Sequence, residues 1–361
     1  MGRRAGAGGT LQYRTLGRSG LKVSVISMGT FTFGGSGPFA MVGAQGVPEA
    51  RRLVDLNIDH GVNLIDTANM YSTGLSEEIV GEVLKGRRDN LLISTKARMK
   101  MGTGPNDEGA SRHHLIRECE NSLRRLGTDH IDIYYIHEWD GTTPVDETMA
   151  ALDTLVRQGK VRYVGCSNYA GWHVMKSLAA ADRAGGARFV TQQIHYTLEA
   201  REAEYELLPI SVDQGLGVLV WSPLAAGLLT GKHRRGQPAP ADSRQAAGWT
   251  EPPIRDPERL WDIVAALVAV GDARGVSAAQ IALAWLLTRP AVSSLVVGGR
   301  TEAQFADNFG AVDLVLSEVE MSRLNGVSRP PLIYPYWHQG QFAKGRFSAA
   351  DRALHDGNPA P

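Results

Sequence analysis

Cysteine is nearly absent from this 361-residue chain, and its two copies, Cys119 and Cys166, show no CxxC spacing. That excludes a disulfide framework and leads to the expectation of a reducing, cytoplasmic setting. Charge of one sign is not in excess either, since 38 Lys and Arg balance 38 Asp and Glu. The balance gives no electrostatic reason to expect nucleic acid or a membrane surface as partner, yet it leaves room for a local basic pocket that holds a phosphorylated cofactor. No apolar run approaches the roughly 20 residues that span a bilayer, so membrane insertion is not expected. The opening MGRRAGAGGT lacks the apolar core of a secretory signal, and residues 1–10 read as a disordered leader. No GxGxxG follows a strand-like run, which leaves a Rossmann domain unsupported. GLLTGKH at 227–233 falls one residue short of Walker A spacing and has no Ser or Thr after Lys232. His113, His114, His195 and His338 show no metal-ligand spacing, so surface or hydrogen-bonded core roles are expected and no catalytic metal.

What the chain does have is a regular alternation. Short β-branched-rich runs recur at 23–29, 62–66, 91–95, 131–137, 161–167, 189–193, 218–222 and 294–299. Between them lie amphipathic segments such as PEARRLVDLNIDHG, SEEIVGEVLKG and HHLIRECENSLRRLG, several opening near Ser, Asp or Pro and closing with Gly. Alternating β and α units imply a parallel sheet, and eight of them can close on themselves, so the expected fold is a (β/α)8 TIM barrel. An open doubly wound sheet would have fewer strands and a nucleotide fingerprint after the first. Two extended runs around GRSG predict an N-terminal β-hairpin that plugs the barrel bottom. Residues 232–257 hold five prolines and predict a long loop at the C-terminal face, either a lid or a tolerated insertion. The expected organisation is one barrel domain over residues 11–330. A tail over 331–361, rich in Pro and aromatics and without helical period, is expected to lie on or near the barrel.

Barrel chemistry is assembled at the C-terminal strand ends, and polar residues accumulate there. The second run ends in Asp66 and leads to Tyr71, the third reaches Lys96, and the fourth ends at His137. Ser167 and Asn168 follow the fifth, Gln193 ends the sixth, and Trp221 and Ser222 end the seventh. Gly298, Gly299 and Arg300 follow the eighth. A phenol has an ordinary pKa of about 10, so it exchanges protons reluctantly near neutrality. A neighbouring ammonium lowers that value, and a carboxylate keeps a buried lysine charged. Taken singly, each of these residues has an ordinary structural reading; Asp66, for one, could cap the segment TANMYS. Gathered on consecutive strands, they read as one site, with His137 hydrogen bonding a substrate oxygen over the phenol.

Several stretches, in order, carry a family resemblance: GTFTFGG at 29–35, NLIDTANMYSTGLSEEIVGEVL at 63–84, ISTKA at 93–97 and IDIYYIHEWD at 131–140. VRYVGCSNY at 161–169, QQIHYTLEAR at 192–201, VLVWSPLAAGLLTGK at 218–232 and VVGGRTEAQFADNFGA at 296–311 continue it. With these motifs the chain strongly resembles the aldo-keto reductase superfamily, particularly its bacterial members and the related potassium-channel β-subunits. The resemblance implies hydride transfer from a nicotinamide cofactor to an aldehyde or ketone, with a small-molecule carbonyl compound as the partner. Tyr71 would be the general acid, Lys96 and Asp66 the pair that tunes it, and His137 the group that orients the carbonyl.

The same resemblance implies that Gly29, Thr30, Phe31 and Asp66 lie against the cofactor. Ser167, Asn168 and Gln193 would hold its carboxamide, and Trp221 would stack on its ring. Ser222, Pro223, Leu224, Gly227, Leu229, Gly231 and Lys232 would carry the pyrophosphate. Gly298, Gly299, Arg300, Gln304 and Asn308 would grip the adenosine end. A guanidinium suits a 2′-phosphate through a forked contact, so NADPH (NADP+) is expected over NADH. Many relatives have a lysine where this chain has Gly298, which puts the phosphate clamp on Arg300, with Arg234 and Arg235 as further candidates. Trp221 stands where other branches have Tyr or Phe. Expected substrate walls are Phe33, Tyr71, His137, Trp139, Trp249, Tyr336 and Trp337, whose aromatic character suits a partly apolar or cyclic carbonyl compound. The alternative is a cofactor-binding regulatory subunit with a redox-sensing role, similar to the channel β-subunits. Oxidation of an alcohol uses the same residues in reverse.

Overall fold

A computed structural model describes residues 11–355. The first two strands, β1 (Tyr13–Thr15) and β2 (Lys22–Ser24), pair antiparallel as the hairpin around GRSG. Eight further strands follow: β3 (Ile26–Gly29), β4 (Leu64–Asp66), β5 (Leu92–Ala97), β6 (Ile131–Ile136), β7 (Val161–Ser167), β8 (Phe189–His195), β9 (Gly217–Trp221) and β10 (Val292–Val297). They close into a parallel barrel in the order β10-β3-β4-β5-β6-β7-β8-β9. A strand such as β6 buries all six of its residues, IDIYYI, as a parallel strand covered on both faces must.

Each strand is connected to the next through helices that cover the barrel, from α1 (Val47–Asp59), α2 (Leu75–Leu84), α3 (Arg112–Leu126) and α4 (Val145–Arg157) through α5 (Gly171–Ala184) and α6 (Leu207–Gln214) to α7 (Pro257–Arg274) and α8 (Ala278–Leu287). After β10 come α9 (Glu302–Phe309) and α10 (Glu318–Ser328). The helix α3 shows why these segments fold so: Ser111 caps its first turn, His114, Leu115, Glu118, Cys119, Ser122 and Leu126 form its buried stripe, and Gly127 ends it with φ 61°. No helix among the described residues is long and apolar enough to cross a membrane.

The hairpin plugs the barrel bottom as expected. Leu16 and Val23 form one buried cluster with the interior residues Leu64, Ile133, Tyr135, Leu219 and Val296. At Gly17, with φ 57°, a Cβ would meet three backbone atoms of the barrel floor within 2.6 Å, so only glycine fits that approach. Alternation along β5 then decides the upper layer. Ser94 and Lys96 hydrogen bond to Asp66, while Thr95 between them bonds outward to Glu77 of α2 at 2.5 Å.

Residues 232–257 contain no helix or strand before α7, and they run from the end of the β9 turn across the upper face. The tail folds into helices where no helical period was legible in the sequence. It forms two short helices, α11 (Tyr336–Phe342) and α12 (Ala349–His355), of which α12 lies against α6. Helices of seven residues span only two turns, too few for a periodic pattern to emerge from the sequence. The leader expected over residues 1–10 lies outside the described residues.

Candidate active site

Asp66 ends β4, and the paired register sets it beside Ser94 on β5. Its Oδ2 accepts from Lys96 Nζ at 2.6 Å. Its Oδ1 accepts from Ser94 Oγ at 2.6 Å and from Gln193 Nε2 at 2.9 Å. Lys96 also donates to the Thr67 carbonyl at 2.8 Å and is wholly buried. The Asp66 carboxylate is therefore committed to this network and does not serve as the turn cap that its position alone allowed.

Tyr71 opens a tight turn, Tyr71–Gly74, in which Ser72 and Thr73 take φ 49° and 57°. Such backbone strain persists only when the surroundings hold it. Ser72 Oγ does so by donating to the Phe33 carbonyl at 2.8 Å while accepting from the Gly35 amide at 3.0 Å. The phenol ring consequently lies with its centroid 5.2 Å from Lys96 Nζ and 5.9 Å from the His137 ring.

Burial and charge act on these groups in different directions. Burial raises the Tyr71 pKa; Lys96 lowers it, but Asp66 and Glu251 oppose that pull, and the net result is a phenol above its ordinary value. The expectation that the ammonium lowers the phenol's pKa holds as a contribution and fails as an outcome, because desolvation outweighs it. Burial by itself would lower the Lys96 pKa, yet Asp66 and Tyr71 together raise it, so the ammonium keeps its proton. His137 is pushed well below its ordinary value by burial, then by Lys96 and Arg98. The site thus contains a neutral imidazole and a protonated phenol.

These side chains open into one cavity of about 990 Å³, at the upper end of the roughly 300–1,000 Å³ usual for small-molecule sites. Gly29, Thr30 and Phe31 line it beside Asp66, Tyr71 and His137. Ser167, Asn168, Gln193 and Trp221 form a second wall. Asn168, held at φ 56°, donates to the His137 carbonyl at 3.1 Å and accepts from Trp221 Nε1 at 3.0 Å, which fixes the indole. Behind Trp221 lies His195, 4.5 Å between ring centroids. His195 thus takes a core position behind the indole, next to the Trp221 backbone.

Ser222, Pro223, Leu224, Gly227 and Lys232 continue along the cavity, and Ser222, Ala225 and Ala226 all take positive φ. Gly298, Gly299, Arg300, Gln304 and Asn308 line its far end. Gly299 is required there because a Cβ would come within 2.9 Å of the Phe305 ring. The Arg300 amide donates to Gln304 Oε1 at 2.7 Å, and its guanidinium donates to the Asp242 carbonyl of the 232–257 loop.

Several sequence expectations do not reach this cavity. Leu229 is a fully buried support, and Gly231 closes the turn at φ 79°, where a Cβ would meet Ala278 at 3.0 Å. Arg235 points away to Glu258 and Asp262, and Arg234 does not line the cavity either. Among the expected substrate walls only Trp249 joins Tyr71 and His137. Phe33 is wholly buried behind the Tyr71 turn. Trp139 stacks on His173 at 4.1 Å and meets Tyr169 and Trp172. Tyr336 stacks on Tyr205 at 5.4 Å, and Trp337 packs with Tyr334 and His338 in the tail. Aromatic character was a poor guide here, because the direction of a loop side chain follows from tertiary contacts and not from spacing.

Sequence reasoning also missed residues that the fold brings in: Phe39, Met70, Met99, Glu138, Arg244 and Glu251. Arg244 matters most for a cofactor. Its largely buried guanidinium lies 5.9 Å from the Phe31 ring centroid, has no carboxylate partner among the described residues, and is lowered in pKa by burial and by Arg300. Two adjacent cations without a counter-charge, a lysine along the wall and backbone in left-handed conformations fit an anionic, phosphate-bearing group.

The aldo/keto reductase family profile matches residues 25–329. A probable voltage-gated potassium channel subunit beta from Arabidopsis thaliana is 37% identical over 313 residues, covering 84% of this chain and 92% of that protein. The uncharacterized oxidoreductase YrpG of Bacillus subtilis is 37% identical over 332 residues, covering 89% and 97%. A probable voltage-gated potassium channel subunit beta from Oryza sativa is 37% identical over 319 residues, covering 84% and 92%. The closed barrel, the buried Asp66–Lys96 pair beside Tyr71 and a match over most of the chain converge on one assignment: this protein belongs to the aldo/keto reductase family and is an NADP-dependent oxidoreductase.

Proposed function

We propose that the chain reduces an aldehyde or ketone to the alcohol with NADPH, with Tyr71 as the proton donor. The observation that carries this reading is the wholly buried Lys96–Asp66 pair, 2.6 Å apart, set against a phenol that keeps its proton. Neutral His137 donates a hydrogen bond to the carbonyl oxygen and so orients it over the phenol. As charge grows on that oxygen, Tyr71 passes its hydroxyl proton to it, and the Lys96 ammonium stabilises the phenolate left behind. Asp66 keeps Lys96 charged throughout. When bound, the nicotinamide cofactor supplies the hydride for the carbonyl carbon. Ser167, Asn168 and Gln193 hold its carboxamide, Trp221 covers one face of its ring, and Arg244 and Arg300 engage its phosphates. Two cations at that end favour NADPH over NADH.

A second reading rests on the two plant relatives named as channel β-subunits: a cofactor-binding regulatory subunit in which turnover is secondary. One experiment separates the two. Reactive aldehydes, ketones and sugars are assayed with NADPH and with NADH, and the cofactor retained through gel filtration is measured. Turnover on part of the panel, faster with NADPH, supports the reductase. Tight retention without turnover on any compound supports the regulatory reading.

A further inference from the structure

The cavity is lined by charges of both signs. Arg300 and Lys232 line it together with Asp242 and Asp307, and Arg244 lies over the Phe31 ring. Around Tyr71 the walls are Phe31, Phe39, Met70, Met99 and Trp249, interrupted by two carboxylates, Glu138 and Glu251. Phe31 holds the aromatic wall together, with its ring centroid 5.0 Å from Tyr71, 5.3 Å from Phe39 and 5.6 Å from Trp249. Glu251 has no hydrogen bond or ion pair among the described residues, and it lies near enough to Tyr71 to oppose loss of the phenol's proton. Glu138 accepts only from the neighbouring Trp139 amide, at 3.0 Å.

Glu138 lies within the field of Arg98, whereas no cation among the described residues acts on Glu251. Lys96 is matched by Asp66, Arg98 donates to the Trp139 carbonyl at 3.1 Å, and Arg244 faces Phe31 and Arg300. His137, nine-tenths buried in the same wall, carries no charge and has its Nδ1 unpartnered. A group placed beyond the reacting carbonyl therefore meets aromatic faces and, at Glu251, a carboxylate without an ion-pair partner among the described residues, the combination that receives a quaternary or protonated amine.

We infer that this cavity selects carbonyl compounds whose far end is cationic and turns away those that carry a carboxylate or phosphate there, with Glu251 as the specificity-determining residue. The inference rests on the carbonyl-reductase reading. Its test uses three 4-substituted benzaldehydes bearing a methyl, a carboxymethyl or a trimethylammoniomethyl group, in which a methylene insulates the charge from the ring. With NADPH and the full chain, kcat/KM is expected to rank cation above neutral above anion, with cation and anion separated by at least about ten-fold. Glu251→Gln should compress that ratio, and Glu138→Gln, whose charge is opposed by Arg98, should compress it less. Equal kcat/KM for the charged pair, or a ratio that Glu251→Gln does not move, overturns the inference. If none of the three is turned over, the aldehyde, ketone and sugar panel decides the reductase reading separately. The charge preference is then read from quenching of tryptophan fluorescence by the same compounds, where a tighter Kd for the cation that Glu251→Gln weakens supports it and equal Kd values refute it.

Discussion

His137 and Tyr71 are moved in opposite directions by the same burial, one base losing its affinity for protons and one acid holding on to its own. The two shifts have a joint consequence for pH dependence. A histidine whose pKa falls is neutral at every pH above its lowered value, so its limb lies below the ordinary value of about 6.5; a phenol whose pKa rises stays protonated past its ordinary value of about 10. The profile of kcat/KM for reduction should therefore be flat between those limits. A limb near neutrality in the purified enzyme would contradict this assignment of protonation states. Ser94 is argued at the same scale. Its hydroxyl is one of three donors that hold the Asp66 carboxylate, at 2.6 Å and fully buried. Hydrogen bonds to charged groups contribute about 1.5–3 kcal/mol, so Ser94→Ala should lose stability of that order in urea denaturation while Ser94→Thr recovers most of it. Asp66, Tyr71, Lys96 and His137 were readable as a group because each lies at or just beyond the end of a regular strand. The net direction of the Tyr71 shift was not readable, since it depends on how much water the folded cavity excludes.

At the scale of elements, the 232–257 loop is the part whose role spacing could least define. Its prolines announced a long irregular segment, but not which of its basic residues turns inward. Arg235 is spent on α7, through Glu258 and Asp262, whereas Arg244 enters the cavity and Arg300 is tied to the loop through Asp242. Arg244→Ala is accordingly expected to raise KM for NADPH more than for NADH, narrowing the cofactor preference by about ten-fold, the effect of losing roughly 1.4 kcal/mol of phosphate-specific contact. A parallel rise for both cofactors would place Arg244 elsewhere in recognition. The strands behave differently. Eight runs were visible because a parallel barrel buries both strand faces and so writes continuous apolar segments, as in β6. The aromatic tail and the Trp139 loop wrote no such pattern, and four of the seven residues expected to form substrate walls came to rest in other contacts.

Across the whole molecule, floor and mouth of the barrel are separate responsibilities. The hairpin closes the floor through Leu16, which is fully buried against interior residues of several strands. Leu16→Ala removes that plug and should cost about 2–5 kcal/mol of unfolding free energy, with KM for the carbonyl substrate nearly unchanged because the mouth lies at the opposite strand ends. The proposed chemistry lies at the mouth, with the Tyr71 hydroxyl as proton donor. The most direct measurement is single-turnover oxidation of bound NADPH by a reactive aldehyde, followed by absorbance, in the wild-type chain and in Tyr71→Phe. Loss of the hydroxyl should slow the step by at least about a hundred-fold, in keeping with the 10²–10⁴-fold usual for a positioned acid, while the Kd for NADPH stays the same. An undiminished rate in Tyr71→Phe would contradict the account.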